Sequence, residues 1–335
     1  MSLILSVKNI SAVAIGKAGF FRLLCAYKRR NRGFVLVYHR VIKALDEEQV
    51  FVQPGMYVTT STFRLQAAFL KENFQVISLD ELMERVKTGR TVGGCCAITL
   101  DDGWQDNYSQ AFPVLKDCRL PATIFLATGF IGTDRYFWPE ELVYYLKHSK
   151  VFDSMPSNSA WEGFIKQIPE KESEATRFEH AITNLKIRPR DEREEILSVM
   201  RGLSSVYFTK RLLMNWEEAE DMLNSGLINF GAHTAEHVIL DQVSLDVARK
   251  EILQSKESLE DRLGISPTLF AYPNGHFTSG SQTLLREYGF KAAVTTRKGW
   301  FDSFVSMFEV PRIGIHEDVS STIPLFLGRI LFDRF

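Results

Sequence analysis

From residue 34 onward the chain alternates short, almost uninterrupted apolar runs with stretches of helical period. Strands buried on both faces carry such continuous runs, and their alternation with helices is the mark of a parallel α/β domain. Strands are expected at 34–37, 75–78, 97–100, 123–127, 228–232, 269–272, 292–295 and 312–315. Helices are expected at 60–72, 79–87, 109–117, 215–225, 244–263 and 281–288. Parallel strands joined by helices all end on one side. The residues just after each run therefore gather at one face, where ligands of such folds bind.

The 335 residues overshoot the roughly 250 of a single α/β barrel. Between residues 150 and 211 the rhythm breaks: 21 of 62 residues are charged, helical periods run over 161–168, 173–185 and 190–203, and no strand run occurs. Without Gly, Ser or Pro enrichment this is a helical insertion rather than a linker. The organisation expected is an amphipathic arm over 1–33, a barrel over 34–320 with the insertion at about 134–215, and an amphipathic C-terminal helix over 321–335. By its position the insertion would cover the rim of the site and select the substrate.

In the arm, Lys8, Lys17 and Arg22 break the apolar stretches, and the basic cluster Lys28-Arg29-Arg30 comes last. That reverses the order of a cleavable signal, and no run reaches the 18 or so apolar residues of a spanning helix. At the other end Ile323, Phe326, Leu327, Ile330 and Leu331 form one helical stripe. Both ends suit packing on the domain or peripheral contact with a membrane. The expected location is the cytoplasm or the inner membrane face.

With 40 Lys+Arg against 41 Asp+Glu the net charge is −1, so no basic excess exists to release counterions from a nucleic acid. A neutral ligand fits better. Cys25, Cys95, Cys96 and Cys118 contain no CxxC and make no disulfide framework. The 25 Phe are scattered through strand and helix faces and read as core.

Three strand-end constellations carry chemistry. The run at 97–100 leads straight into Asp101-Asp102-Gly103-Trp104. Adjacent acids repel each other, which is tolerable where one of them meets a cation; alone, the same residues would also serve as a turn and helix cap. After the run at 228–232 come His233 and His237, an i, i+4 pair expected on one face of a helical turn, spaced to share a metal. Together Asp102, His233 and His237 make a two-His-one-carboxylate set with open positions, as a catalytic divalent ion requires. Asp101 is left free to take a proton from water that the ion acidifies. The third is Tyr272-Pro273-Asn274-Gly275-His276, a Pro turn whose backbone N–H at Asn274 could face a developing oxyanion.

In these residues the chain resembles the polysaccharide deacetylases that share the NodB homology domain (carbohydrate esterase family 4). The matching pieces are Leu36–Val41, the Thr-Leu-Asp-Asp-Gly run, the His-Thr-Ala-Glu-His run and the Phe-Ala-Tyr-Pro-Asn-Gly run, in the family's order. The segments 288–296 and 310–315 also look familiar. The resemblance implies a distorted (β/α) barrel, a zinc or other divalent ion on Asp102, His233 and His237, and Asp101 as general base. It implies hydrolysis of N-acetyl groups on an N-acetylglucosamine-containing glycan.

The departures are specific. Many members place in the third motif an Arg that orients the catalytic Asp, and a Tyr after the Pro; here Ala271 and Asn274 occupy those places. The Asp that usually partners that Arg is also not evident in 295–300, where Trp300 could form the family's hydrophobic wall. Loss of both halves of an ion pair is coherent, since one charge left alone is costly. Arg312 is the expected replacement, and His316 the expected general acid, with His39 and His276 as rivals. The alternatives are an amidase on a small amide or ureide, and a catalytically impaired glycan-binding homologue.

Overall fold

The computed structural model describes residues 30–45, 52–148, 159–169, 172–203 and 210–332. Most of the N-terminal arm, including Cys25, lies outside them. The chain divides into two compact units. The first comprises the residues up to Leu45, Pro54–Thr133 and Leu213 onward; the second comprises Asp46–Gln53 and Asp134–Leu212.

The first unit is a curled parallel sheet with helices, the α/β barrel class expected from the alternation. Its strands are β1 (Phe34–Tyr38), β4 (Gln75–Val76), β5 (Cys95–Leu100), β6 (Ala122–Leu126), β7 (Ile228–Ala232), β8 (Leu269–Ala271), β9 (Ala292–Val294) and β10 (Ile313–Gly314). They lie in the order β10-β1-β5-β6-β7-β8-β9, with β4 beside the start of β5, and every pairing is parallel. β1, β5 and β6 are buried at every position, which is why their sequences are continuous rather than alternating. Val310 bridges to Val294 of β9, and three residues later β10 pairs with β1. One short segment thus links the two ends of the sheet.

Two further strands, β2 (Arg40–Ile42) and β3 (Tyr57–Thr59), pair with each other alone. Neither was legible in the sequence: three residues are too few to show a period, and Arg40 masks the first. The helices start where local chemistry allows it. Thr59 and Ser78 cap α1 (Thr60–Asn73) and α2 (Leu79–Lys87) through side-chain oxygens that accept from Thr62 N–H and Glu81 N–H. A π-helical turn, Asn107–Ala111, runs into α3 (Phe112–Cys118).

The second unit holds α4 (Trp138–His148), α5 (Ser159–Ile165), α6 (Glu174–Lys186) and α7 (Arg190–Leu203). Trp161, Phe164, Leu185, Ile196 and Met200 are fully buried in it. Arg201 of α7 bonds Glu141 of α4 through both carboxylate oxygens, at 2.6 and 2.9 Å.

The chain returns to the first unit with α8 (Trp216–Asn224), α9 (Leu245–Leu263), α10 (Ser279–Glu287), α11 (Glu317–Ser320) and α12 (Ile323–Leu331). Most of the apolar stripe of α12 packs on this unit. Phe326, Ile330 and Leu331 are buried, Phe326 meets Phe69, and Ile330 O accepts from the Trp300 indole. No described helix is long and apolar enough to cross a membrane.

β7 contains a glycine because two other groups need the space. A Cβ on Gly231 would stand 2.5 Å from the Phe125 ring and 2.8 Å from Leu269 O. Gly231→Ala is expected to destabilise the fold by about 1–3 kcal/mol through overpacking, as read by denaturant unfolding of the purified protein.

Candidate active site

The strands deliver polar residues to one rim: His39 after β1, Asp101 and Asp102 after β5, His233 after β7, Tyr272 to Asn274 after β8, and His316 just beyond β10. The backbone there is held in unusual shapes. Of the five described non-glycine residues at positive φ, four lie on this rim: Asp102 (78°), Thr234 (60°), His237 (50°) and Asn274 (56°). Such conformations are costly for L residues and persist only where surrounding structure enforces them, often at functional sites.

Ligand atoms of Asp102, His233 and His237 all lie within 4.8 Å of one another, with Asp102 and His233 buried. The two histidines do not share a helical turn as expected. They sit on a loop whose left-handed Thr234 and His237 bend it back, leaving the rings 4.9 Å apart. Glu251 of α9 holds that loop by accepting from the N–H groups of Ala235 and Glu236, at 3.1 and 2.8 Å. The i, i+4 spacing was right; a turn pinned from outside achieves what a helix would have.

The donor set fits a divalent cation. His233 Nδ1 lies 2.7 Å from Ala271 O, and because a carbonyl only accepts, Nδ1 carries a proton and neutral His233 turns a lone pair on Nε2 into the site. Asp102 Oδ1 is buried without a hydrogen-bond partner, facing Nε2 of His237 at 3.3 Å and of His233 at 3.5 Å. Three electron-pair donors converge, and a cation or a proton must lie among them. Burial pushes the Asp102 carboxyl up, but the two facing imidazoles outweigh it and hold it well below the usual carboxylate range. Burial likewise lowers His233, yet Asp102, Asp101 and the Ala271 carbonyl together raise it.

Asp101 is gripped from the other side. Arg312 donates from Nη1 to Oδ1 and from Nη2 to Oδ2, both at 2.7 Å, and is itself fully buried. Two further N–H groups are also bonded: Nε to Thr295 O at 2.9 Å, and Nη1 to Thr99 Oγ1 at 3.1 Å. Burial would raise the Asp101 carboxyl, but the guanidinium charge and its hydrogen bonds leave it below the ordinary value. Arg312 was expected at the start of the strand at 312–315, and that is where it stands. It directly precedes β10, and its long side chain runs to Asp101 past the Phe125 ring, 5.8 Å from the guanidinium.

The other expected residues divide. His316 lies beside the rim, bonded to Asp318 at 3.3 Å, its pKa lowered chiefly by burial. His39 is lowered chiefly by burial too, but it feels Asp102, Asp101, Arg312 and His233, the whole cluster. His276 is exposed and bonded to Asp241. Asn274 closes the Pro273 turn, its carbonyl accepting from Thr296 Oγ1.

Trp300 is elsewhere. It packs on Phe34 and Phe74, at the opposite end of β1 from the rim, because the chain after β9 has already turned back to pair Phe301 with Gly33. It forms no wall of this site. Residues the sequence did not single out include Glu251 and the clamp around Arg40. Asp106 accepts from Arg40 Nε and Val41 N–H, both at 2.8 Å, and Asn107 Nδ2 donates to His39 O at 2.7 Å. The polar pair three and four residues past Gly103 was the available signal.

A family model described as polysaccharide deacetylase matches residues 88–293. Among curated proteins, 95 residues are 34% identical to the poly-beta-1,6-N-acetyl-D-glucosamine N-deacetylase of Escherichia coli K12, covering 28% of this chain and 13% of that protein. Over 116 residues the chain is 30% identical to the protein of the same name from Staphylococcus aureus, covering 32% of this chain and 40% of that one. The chain thus spans less than half the length of the curated relatives it matches. Two solved structures share the fold: the deacetylase PplD of Streptococcus pyogenes (TM-score 0.59, 18% identity, 89% of this chain and 98% of that one) and IcaB from Ammonifex degensii (0.59, 19%, 90% and 98%). The model match spans well over half of the chain and contains both the Asp101-Asp102 pair and the two histidines, and the chain belongs to the polysaccharide deacetylase family.

Proposed function

We propose that this chain is a metal-dependent N-deacetylase that hydrolyses acetamide groups on N-acetylglucosamine units of a glycan. The observation that carries this reading is one carboxylate, Asp101, locked by a buried guanidinium beside a second, Asp102, whose orphaned oxygen faces two imidazoles. The family and the printed names of the matched relatives supply the substrate class.

Asp102, His233 and His237 would hold a divalent ion, zinc being the expected one, which polarises the acyl oxygen and brings the pKa of water down towards about 7. Asp101, kept ionised by Arg312, accepts a proton from the attacking water. Its two oxygens are fixed by the guanidinium fork, so the base does not rotate away between turnovers. The N–H of Asn274 would face the oxyanion as the carbonyl carbon becomes tetrahedral. Collapse breaks the C–N bond, a protonated imidazole gives its proton to the departing amine, and acetate is left. Burial lowers both rim imidazoles; at His39 the charges of Asp102 and Asp101 work against it, whereas His316 has only the exposed Asp318, so His39 is the proposed donor. Arg312 orients Asp101, as the family's arginine would, and this favours the catalytic reading.

The reading is tested by loading the protein with zinc or cobalt and assaying acetate release from β-1,6-linked and chitin-type N-acetylglucosamine oligomers. No release from either would overturn it. Asp101→Asn should lose on the order of 10²-fold or more in kcat while binding metal as before; near-normal turnover would remove Asp101 as the base. His39→Ala should lower kcat further than His316→Ala, and the reverse order would exchange their roles.

Two pH dependences follow from the shifts. Asp101 acts ionised and sits below its ordinary pKa, so with metal kept saturating the wild-type rate should hold until pH drops through that lowered value. In Arg312→Met only the His233 and His39 charges still oppose burial, and the acidic limb of kcat/KM should move to higher pH. The same variant should lose about 3–5 kcal/mol of stability, because a buried charge is left alone. Metal binding must displace the proton that the raised His233 pKa favours. Affinity should therefore weaken as pH is lowered through that value, and His233→Ala should abolish tight binding in a chelator-competition titration.

A further inference from the structure

Asp102 has two oxygens, and they are treated differently. Oδ1 faces the imidazoles, while Oδ2 accepts a 2.8 Å hydrogen bond from the indole N–H of Trp104, two residues along the chain. So short a loop between donor and acceptor needs an unusual backbone. Asp102 and Gly103 supply it, with consecutive φ values of 78° and 85° that fold Trp104 back onto the carboxylate.

Trp104 is held as firmly as a metal ligand would be. It is 2% exposed, and its backbone forms an antiparallel bridge with Leu213. The guanidinium of Arg40 lies 4.9 Å from its ring centroid, and that guanidinium is fixed by Asp106 at 2.8 Å. A cation over the face of an indole is attracted by its π density. It also draws that density towards itself, which leaves the ring N–H a stronger donor. An unbroken line of contacts therefore runs from Asp106 through Arg40 and Trp104 to Asp102.

An indole N–H donates and never accepts. It can orient a ligating carboxylate without competing for the cation, whereas a Ser, His or acidic side chain at this place could coordinate the ion itself. Without this bond Asp102 could rotate about its terminal torsion and present either oxygen, or both, to the imidazoles. We propose that Trp104 is a positioning residue of the metal centre: its N–H commits Oδ2 and thereby presents Oδ1 alone to a cation shared with His233 and His237. This rests on the reading of those three residues as a metal site.

The test uses the full chain stripped of metal and titrated with cobalt(II) against a chromophoric chelator. Trp104→Phe keeps a ring beneath Arg40 and deletes the donor. Its cobalt affinity should fall by about 10- to 100-fold, the usual effect of losing a partner of a ligating group, and its visible cobalt spectrum should change. Far-UV circular dichroism and the Tm of the metal-free protein serve as the fold control. If Trp104→Phe does not fold, replacement of Trp104 by benzothienylalanine exchanges only the N–H for sulfur. A fluorotryptophan that retains the N–H should bind like wild type. Wild-type affinity and an unchanged spectrum in the donor-less variants would overturn the proposal while leaving the metal site standing. A wild-type protein that binds no cobalt or zinc would overturn both.

Discussion

The site depends on a buried ion pair between residues 211 positions apart in the chain, Arg312 and Asp101. Removing both charges from water is expensive, and a pair of this kind is tolerated only with short, well-aligned bonds and no group left over. Here both carboxylate oxygens are engaged, and Thr295 O and Thr99 Oγ1 engage two further guanidinium donors. Thr99 is itself anchored through its hydroxyl to Leu36 O on β1. The pair therefore joins β1, β5, the end of β9 and the start of β10 in one polar core. The reactive carboxylate is set by the closure of the sheet rather than by its own loop.

Around it, strain and support are matched residue by residue. Asp102 is held in a left-handed shape by the Trp104 bond, and the bend at Thr234 and His237 by Glu251 from α9. The backbone carbonyl of Ala271 fixes the tautomer of His233. Its strand thus orients a histidine, and the guanidinium comes from another part of the sheet.

Much of this was legible in the sequence. The apolar runs located all eight strands of the main sheet, most plainly β1, β5 and β6, whose burial at every position leaves a compositional trace. The acids after β5 and the histidines after β7 followed from the rule that parallel strands end together. Geometry within a loop was not legible. The helical turn expected for His233 and His237 is a bend held by Glu251 on the following helix, and sequence spacing carries no sign of such a tether. Trp300 failed for a related reason. An aromatic residue after a strand can continue along the rim or return with the chain, and the antiparallel bridge of Phe301 to Gly33 decides which. Arg312 was reached only through the family resemblance, as the replacement for an arginine missing from the third motif; its route through the interior was not legible.

The segment carrying Val310, Arg312 and β10 also has a consequence for how the protein matures. It makes the last contact needed to join β9 to β1, and it carries the cation that Asp101 requires. A chain emerging from the ribosome presents Asp101 long before Arg312 exists. Until then the carboxylate has either to stay hydrated or to take up a proton, and in neither state is it the base described above. The Asp101–Arg312 pair therefore forms only once the segment that joins β9 to β1 is in place.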